Sequence, residues 1–149
     1  MCIRDRPNVS KLSQRIGVTR NTLITFFKYL DDLRIISRIF PPSTRIGALQ
    51  KPDKILMHHP NLQYAIAAIE ANTGSIRESF FVNQASVSHT IAYAKSGDFL
   101  IDNNYTFEVG GKRKTGKQIQ GIENAYIVSD GLEIGSSNKI PLWLFGFLY

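Results

Sequence analysis

The spacing of apolar and polar positions divides the chain from Pro7 onward into elements of two kinds. In "PNVSKLSQRIG", Val9, Leu12 and Ile16 recur at helical intervals, and the run ends on Gly17, the residue type best suited to closing a helix in the left-handed conformation. A short helix is predicted there. "VTRNTLITFFKYLDDLRII" places Leu23, Phe26, Phe27, Leu30 and Leu33 three or four apart behind Thr19, a suitable N-cap, and predicts a second, longer helix. "IISRIFPPSTRIGALQKPDKILMHH" then offers two short β runs about a polar turn. Two helices across a Gly-containing turn, followed by such a pair, predict a winged helix-turn-helix over residues 7–59. The first helix of the usual three-helix core has no counterpart, so an N-terminal truncation is expected.

Residues 60–149 follow a different pattern. "PNLQYAIAAIEANTGS" sets Leu62, Ala65, Ile66 and Ile69 on one helical face, and "IRESFFVNQASVSH" continues helically through Phe80, Phe81 and Gln84. "TIAYA", "DFLI" and "YTFEV" are short β runs separated by the turn signals "KSG" and "DNN". "TGKQIQGIEN" is predicted as a short helix, "AYIVSD" as a buried strand, and "IPLWLFGFLY" as an apolar segment packed on the sheet. The resulting order is αβββαβ, and the fold class of the whole chain is mixed α/β. "MCIRDR", residues 1–6, carries no apolar period and is expected to be a non-native or unstructured start.

Composition narrows the picture without deciding it. The chain has 149 residues, 43% hydrophobic and 20% charged, an ordinary globular balance sufficient for one medium domain or two small ones. Cys2 is the single cysteine, so no intrachain disulfide can form, which fits a reducing cytosol. "IPLWLFGFLY" is about half of the roughly 20 residues that a membrane span needs. A cytoplasmic protein without membrane contact is expected.

The net charge of +6 is unevenly spread. Residues 7–59 carry nine Lys or Arg against Asp31, Asp32 and Asp53, whereas residues 60–149 are close to neutral, with seven basic and eight acidic side chains. A basic block of this kind suits a polyanionic partner, DNA above all. In a winged helix the second helix meets the major groove by its N-terminal residues, here Arg20, Asn21, Thr22 and Thr25, with Lys28 one turn on. A solvated basic face on a protein-contact module is the alternative.

Several stretches together resemble a known family. "PNVSKLSQRIGVTRNTL", "KPDKILMHHPNL", "IRESFF", "YTFEVGGK" and the closing "IPLWLFGFLY" are similar, in that order, to the C-terminal region found downstream of the ATPase domain in prokaryotic AAA-type ATPases. The resemblance covers nearly all of Pro7–Tyr149. It implies a winged helix followed by a restriction-endonuclease-like domain, the PD-(D/E)xK fold, with an ATPase domain upstream. Any ATP site would lie in that upstream domain, which would also be a partner and a means of oligomerisation.

"YTFEVGGKRKTGKQI", residues 105–119, admits three functions. Gly111 through Lys117 satisfies G-x-x-x-x-G-K, but Gln118 stands where a phosphate-binding loop needs a hydroxyl on its metal ion, and only 32 residues follow. The nuclease pattern fits better. It hangs one carboxylate at the start of a strand and a second carboxylate plus a lysine on the next, because Mg2+ takes hard oxygen ligands and the lysine steadies water or phosphate. Asp98 and Glu108 stand in those places and are the candidate metal ligands, with Glu78 as a helix-borne third carboxylate. The lysine position of E-x-K is Gly110, and Lys112 is the nearest replacement, roughly 6.6 Å further along a regular strand. In the third function, Lys112, Arg113, Lys114 and Lys117, beside amides freed by Gly110, Gly111 and Gly116, hold a phosphate backbone without chemistry. It is also open that Asp98 caps a turn and that Glu108 pairs with a neighbouring lysine.

Other residues weigh less. His58 and His59 are adjacent, so on a strand they point apart, and no further ligands accompany them. Trp143, Phe145, Phe147 and Tyr149 suit core packing better than base stacking. The leading expectation is a DNA-binding, nuclease-like C-terminal region of an AAA-type ATP-binding protein, catalytically degenerate at Gly110. The alternatives are an active Mg2+-dependent endonuclease using Asp98, Glu108 and Lys112 with Glu78, and a protein-docking module of the ATPase that never meets DNA.

Overall fold

The computed structural model describes residues 7–42, 47, 50–67 and 71–148. The expectations for residues 1–6, Ile69 and Tyr149 lie outside these. Helix α1 (Val9–Ile16) starts where the Asn8 side chain accepts the Lys11 N–H at 2.9 Å, and it closes on Gly17 at φ 81°. Helix α2 (Arg20–Asp32) is capped as expected, with Thr19 Oγ1 accepting the Thr22 N–H at 3.1 Å. Strands β1 (Ile36–Ile39) and β2 (Lys54–Met57) pair antiparallel, Ile36 opposite Met57 and Ile39 opposite Lys54.

Val9, Leu23, Ile24, Phe27 and Ile36 form a small core between these elements. The buried face of α2 is rotated from the one expected: Ile24 is fully buried, while Phe26 and Leu33 are 44% and 69% exposed. Leu12 and Ile16 of α1 are also exposed. Helical spacing shows that an apolar stripe exists; where two stripes adjoin, as on either side of Leu23, tertiary packing chooses between them.

Helix α3 (Pro60–Ala67) leaves Ile66 exposed, contrary to the inward stripe expected of it. Helix α4 (Thr73–Ala85) is capped by Asn72, whose side chain accepts the Ser75 N–H at 3.0 Å. A five-stranded sheet follows: β3 (Ile91–Tyr93), β4 (Phe99–Ile101), β5 (Tyr105–Gly111), β6 (Ala125–Asp130) and β7 (Lys139–Pro141), neighbours in chain order. β3, β4 and β5 form the expected antiparallel meander, and the β4–β5 turn runs through Asp102 and Asn103 at positive φ. β6 then lies parallel to β5, and β7 parallel to β6.

Two elements depart from the expected order. Residues 112–124 connect β5 to β6 by turns rather than a helix, with Gly116 at φ 69° and Gly121 at φ 79°, conformations no α-helix contains. Part of the apolar tail becomes β7 and continues as a 3-10 helix, Leu142–Phe147, which buries Leu142 and Phe145. The main core centres on Phe81, fully buried, whose ring lies 5.5 Å from Phe99, 5.3 Å from Phe107 and 4.8 Å from Phe145.

The N-terminal hairpin shares this core. Ile39 and Leu56 pack into the same cluster as Phe81 and Val82, the Tyr93 N–H donates to the Phe40 carbonyl at 2.7 Å, and the Asn83 amide donates to the His58 carbonyl at 2.9 Å. Residues 7–59 and 60–148 are therefore joined by packing as well as by the chain. Among the described residues no helix is long and apolar enough to cross a membrane.

Candidate functional site

The carboxylates singled out in the sequence lie on three neighbouring elements. Asp98 immediately precedes β4 and Glu108 is in the middle of β5. The two are tied together by backbone: the Asp98 N–H donates to the Phe107 carbonyl at 2.8 Å, and Asp98 Oδ2 accepts the Val109 N–H at 2.8 Å. Phe107 and Val109 point into the main core, so strand alternation turns Glu108 the other way. Both carboxylates are buried, Asp98 at 6% and Glu108 at 2% exposure. Glu78 comes from α4, one turn ahead of Phe81 and Val82, which anchor that helix to the sheet.

Carboxylates this deep require partners, and two lysines supply them. Lys114 Nζ is 3.1 Å from Glu108 Oε1. Lys54 Nζ is 2.9 Å from Glu78 Oε2 and 3.8 Å from Asp98 Oδ1, and it also lies 4.8 Å from the centre of the Phe99 ring. Glu108 Oε2 is buried without a hydrogen-bond partner, the one carboxylate oxygen among the described residues in that condition. Burial pushes the Glu78 carboxyl above its ordinary range and the Asp98 charge adds to the rise; Lys54, and more weakly Lys114, oppose it.

The identity of the paired lysine is the main surprise. Lys112, expected to stand in for the missing side chain of residue 110, is exposed, and its carbonyl accepts the Lys139 ammonium at 3.1 Å. Lys114 occupies the place instead. The Lys114 N–H donates to the Gly111 carbonyl at 2.9 Å, closing a turn that folds the side chain back over β5. A Cβ added at Gly110 would stand 2.7 Å from Lys114 Cδ and 3.0 Å from Lys114 Cγ. Real Cβ atoms do not approach that closely, so the Lys114 stem fills the volume that a side chain at residue 110 would take. A side chain at residue 110 would therefore force the Lys114 stem to shift.

The remaining candidates lie outside these ion pairs. Lys112, Arg113 and Lys117 are exposed on the same connection, and Arg77 of α4 pairs with Asp130 at 2.8 Å beside Gly111. On α2, Arg20 and Asn21 are exposed at the N-terminus. Thr22 is engaged by the cap, its hydroxyl 2.8 Å from that of Thr19; the Thr25 hydroxyl donates to the Asn21 carbonyl; Lys28 pairs with Asp32 at 2.6 Å. His58 and His59 take separate partners, the Ser37 hydroxyl and the Asn61 N–H. Trp143 donates to the Leu132 carbonyl at 3.1 Å and Phe147 is largely exposed, so of the described members of that group Phe145 alone is core.

Sequence reasoning did not find Lys54, and nothing local to it signals the role, because Lys54 reaches the site only through the packing of β2 on α4. Lys114 was legible only as one of a basic group; the signal that distinguishes it is the absent side chain at Gly110. Among the described residues, no three His, Cys, Asp or Glu side chains cluster as metal ligands would. The carboxylates are held apart on lysines. Comparisons with family models, curated proteins and solved structures give no match to this chain.

Proposed function

We propose that residues 60–148 form a divalent-metal-dependent phosphodiesterase site acting on DNA, on a restriction-endonuclease-like sheet, with the N-terminal helices as a second DNA contact of winged-helix type. The observation that carries this proposal is Lys114, whose side chain takes the place of one at residue 110 and brings its ammonium to Glu108. Degeneracy was expected because Gly110 carries no lysine and because Glu108 could simply pair with a neighbouring lysine; Lys114 makes that pair and in doing so puts an ammonium beside the strand carboxylates. The strand arrangement supports the same reading: an α4–β3–β4–β5 unit followed by parallel β6 agrees with αβββαβ apart from the missing helix in the connection.

Carboxylate oxygens are the donor type that a hard cation such as Mg2+ takes, and an ion there would have to draw together side chains that now rest on Lys54 and Lys114. Asp98 Oδ1 and Glu108 Oε2 are carboxylate oxygens not taken up by close hydrogen bonds, and Glu78 stands across Lys54 from Asp98. Bound there, such an ion would neutralise phosphate charge and acidify a water molecule. The chain's own part is to hold the two strand carboxylates side by side through the Asp98–Val109 hydrogen bond and to keep an ammonium beside them. Lys114 is suited to stabilise a phosphate oxygen or to orient the attacking water. The net reaction adds water across a P–O bond: its oxygen joins phosphorus, one proton goes to the leaving oxygen and one to solvent. Lys112, Arg113 and Lys117 serve as phosphate contacts at the rim.

A second reading has its own observation. All three carboxylates already pair with lysines, which favours a surface that holds DNA without cutting it. Relaxation of supercoiled plasmid with Mg2+ or Mn2+ separates the two, using wild type beside Asp98→Ala, Glu108→Ala, Lys114→Ala and Lys112→Ala. Cleavage lost in the first three and kept in Lys112→Ala is the expected outcome. Equal, negligible cleavage by all five proteins would leave DNA holding, and absence of duplex binding at low salt would leave a protein-docking module of an AAA-type ATPase.

A further inference from the structure

The N-terminal hairpin places a lysine inside the carboxylate site. Lys54 is the first residue of β2, paired with Ile39 of β1, and its side chain leaves that hairpin to lie between Glu78 of α4 and Asp98 of the sheet. It is only 14% exposed and rests against the Phe99 ring, so it is a seated ion and not a surface lysine in chance contact. Two carboxylates facing each other in a buried site repel unless a cation stands between them. Here that cation is covalent.

Resting on the metal-site reading above, we propose that Lys54 is an internal counter-ion that competes with a divalent cation for Glu78 and Asp98. Metal binding at these carboxylates displaces the Lys54 ammonium, which loosens the contact of β2 with α4 and β4. Loading of the site and docking of the N-terminal unit are then opposed. Anything that holds the hairpin down weakens metal binding, and a movement of the hairpin admits it. By reciprocity, the metal changes affinity at the N-terminal unit by the same factor.

The test is Mn2+ binding to the whole chain at neutral pH, followed by titration calorimetry and by the electron paramagnetic resonance of free Mn2+. Wild type is compared with Lys54→Met, Lys54→Gln and Lys54→Arg, each checked for folding by circular dichroism. Removing one positive charge beside the site should tighten binding about tenfold or more in Lys54→Met and Lys54→Gln, while Lys54→Arg, which keeps the charge, should not. Adding Glu78→Gln to Lys54→Met should abolish the gain. In wild type, without any substitution, acylation of Lys54 by an amine-reactive ester should rise severalfold at saturating Mn2+. Wild-type binding that Lys54→Met and Lys54→Gln leave unchanged or weaken would overturn the competition while the metal site stands. Acylation unaltered at saturation would overturn it equally. Failure of wild type and both neutral variants to bind Mn2+ would remove the metal-site reading, and the competition with it. Binding by Lys54→Met and Lys54→Gln but not by wild type supports the competition in its strongest form.

Discussion

The pairing of Lys114 with Glu108 can be measured without any substrate. Lys114→Met keeps the aliphatic stem over Gly110 but removes the ammonium 3.1 Å from Glu108 Oε1, leaving a carboxylate that is 2% exposed with neither oxygen paired. Breaking a buried pair from one side costs about 3–5 kcal/mol. Lys114 is itself 26% exposed, so solvent screens part of the interaction and about 2–3 kcal/mol is the better expectation. Glu108→Gln removes the charge that needs a partner, and the freed ammonium can turn toward solvent, so its own loss should be about 1 kcal/mol.

The double variant Glu108→Gln with Lys114→Met has no buried charge left to strand. It should be nearly as stable as Glu108→Gln alone, giving a coupling energy on the order of 2 kcal/mol. Urea unfolding followed by circular dichroism at neutral pH, with the slope of the transition held common to all four proteins, supplies the numbers. Single losses that add to within about 0.5 kcal/mol in the double variant would refute the pairing, and with it the claim that Lys114 stands where residue 110 has no side chain.

Gly110→Ala makes the same point from the other side: its Cβ falls 2.7 Å from Lys114 Cδ, so the lysine stem must shift, its hold on Glu108 should weaken, and any metal-dependent cleavage should drop. A merely neutral effect, or the gain of about 0.5–1 kcal/mol that alanine offers over glycine in a strand, would contradict the close approach. His58 is held below its ordinary value of 6.5, first by burial and then by the Arg34 charge. The folded protein therefore keeps a neutral imidazole where the unfolded chain is already protonated, and stability should fall as pH drops below 6.5 until the folded value is passed. Unfolding of wild type and His58→Asn at about pH 7.5 and about pH 5.5 checks this; an equal pH dependence in both would place its origin elsewhere. Should the rim hold phosphate, Lys112→Gln and Arg113→Gln should each lower the slope of log affinity against log salt for duplex DNA by about one, and an unchanged slope would take them out of the interface.

What the sequence could show depended on the range of the interaction that decides each feature. The caps at Thr19 and Gly17, the "DNN" turn and strand β6 were legible because a few adjacent residues determine them. The buried face of α2 was only half legible: Phe26 and Ile24 are equally good apolar residues, and the choice was made by β1 and β2, distant in sequence. The connection 112–124 was misjudged because apolar spacing at Ile119 and Ile122 suggests a helix, while Gly116 and Gly121 take left-handed conformations that end one. Ile119 is nonetheless buried, packed with Ala125 and Ile127, so the spacing reported burial correctly and secondary structure wrongly.

The site divides along the same line. Asp98 and Glu108 were legible because a hairpin register follows from turn length, and the register brings them side by side. Choosing a lysine by counting along β5 rested on the strand staying regular beyond Gly111, and it leads to Lys112. A strand that ends in two glycines and a turn returns its chain over itself, and the residue that then overlies Gly110 is Lys114. The absent side chain at 110 is therefore the space that the Lys114 stem fills, and the same backbone freedom that defeats the count makes that approach sterically feasible. Lys54 follows no count at all. Its place depends on Ile39 and Leu56 packing into the Phe81 core, so the electrostatics of the site are set in part by residues that the chain order assigns to a different unit.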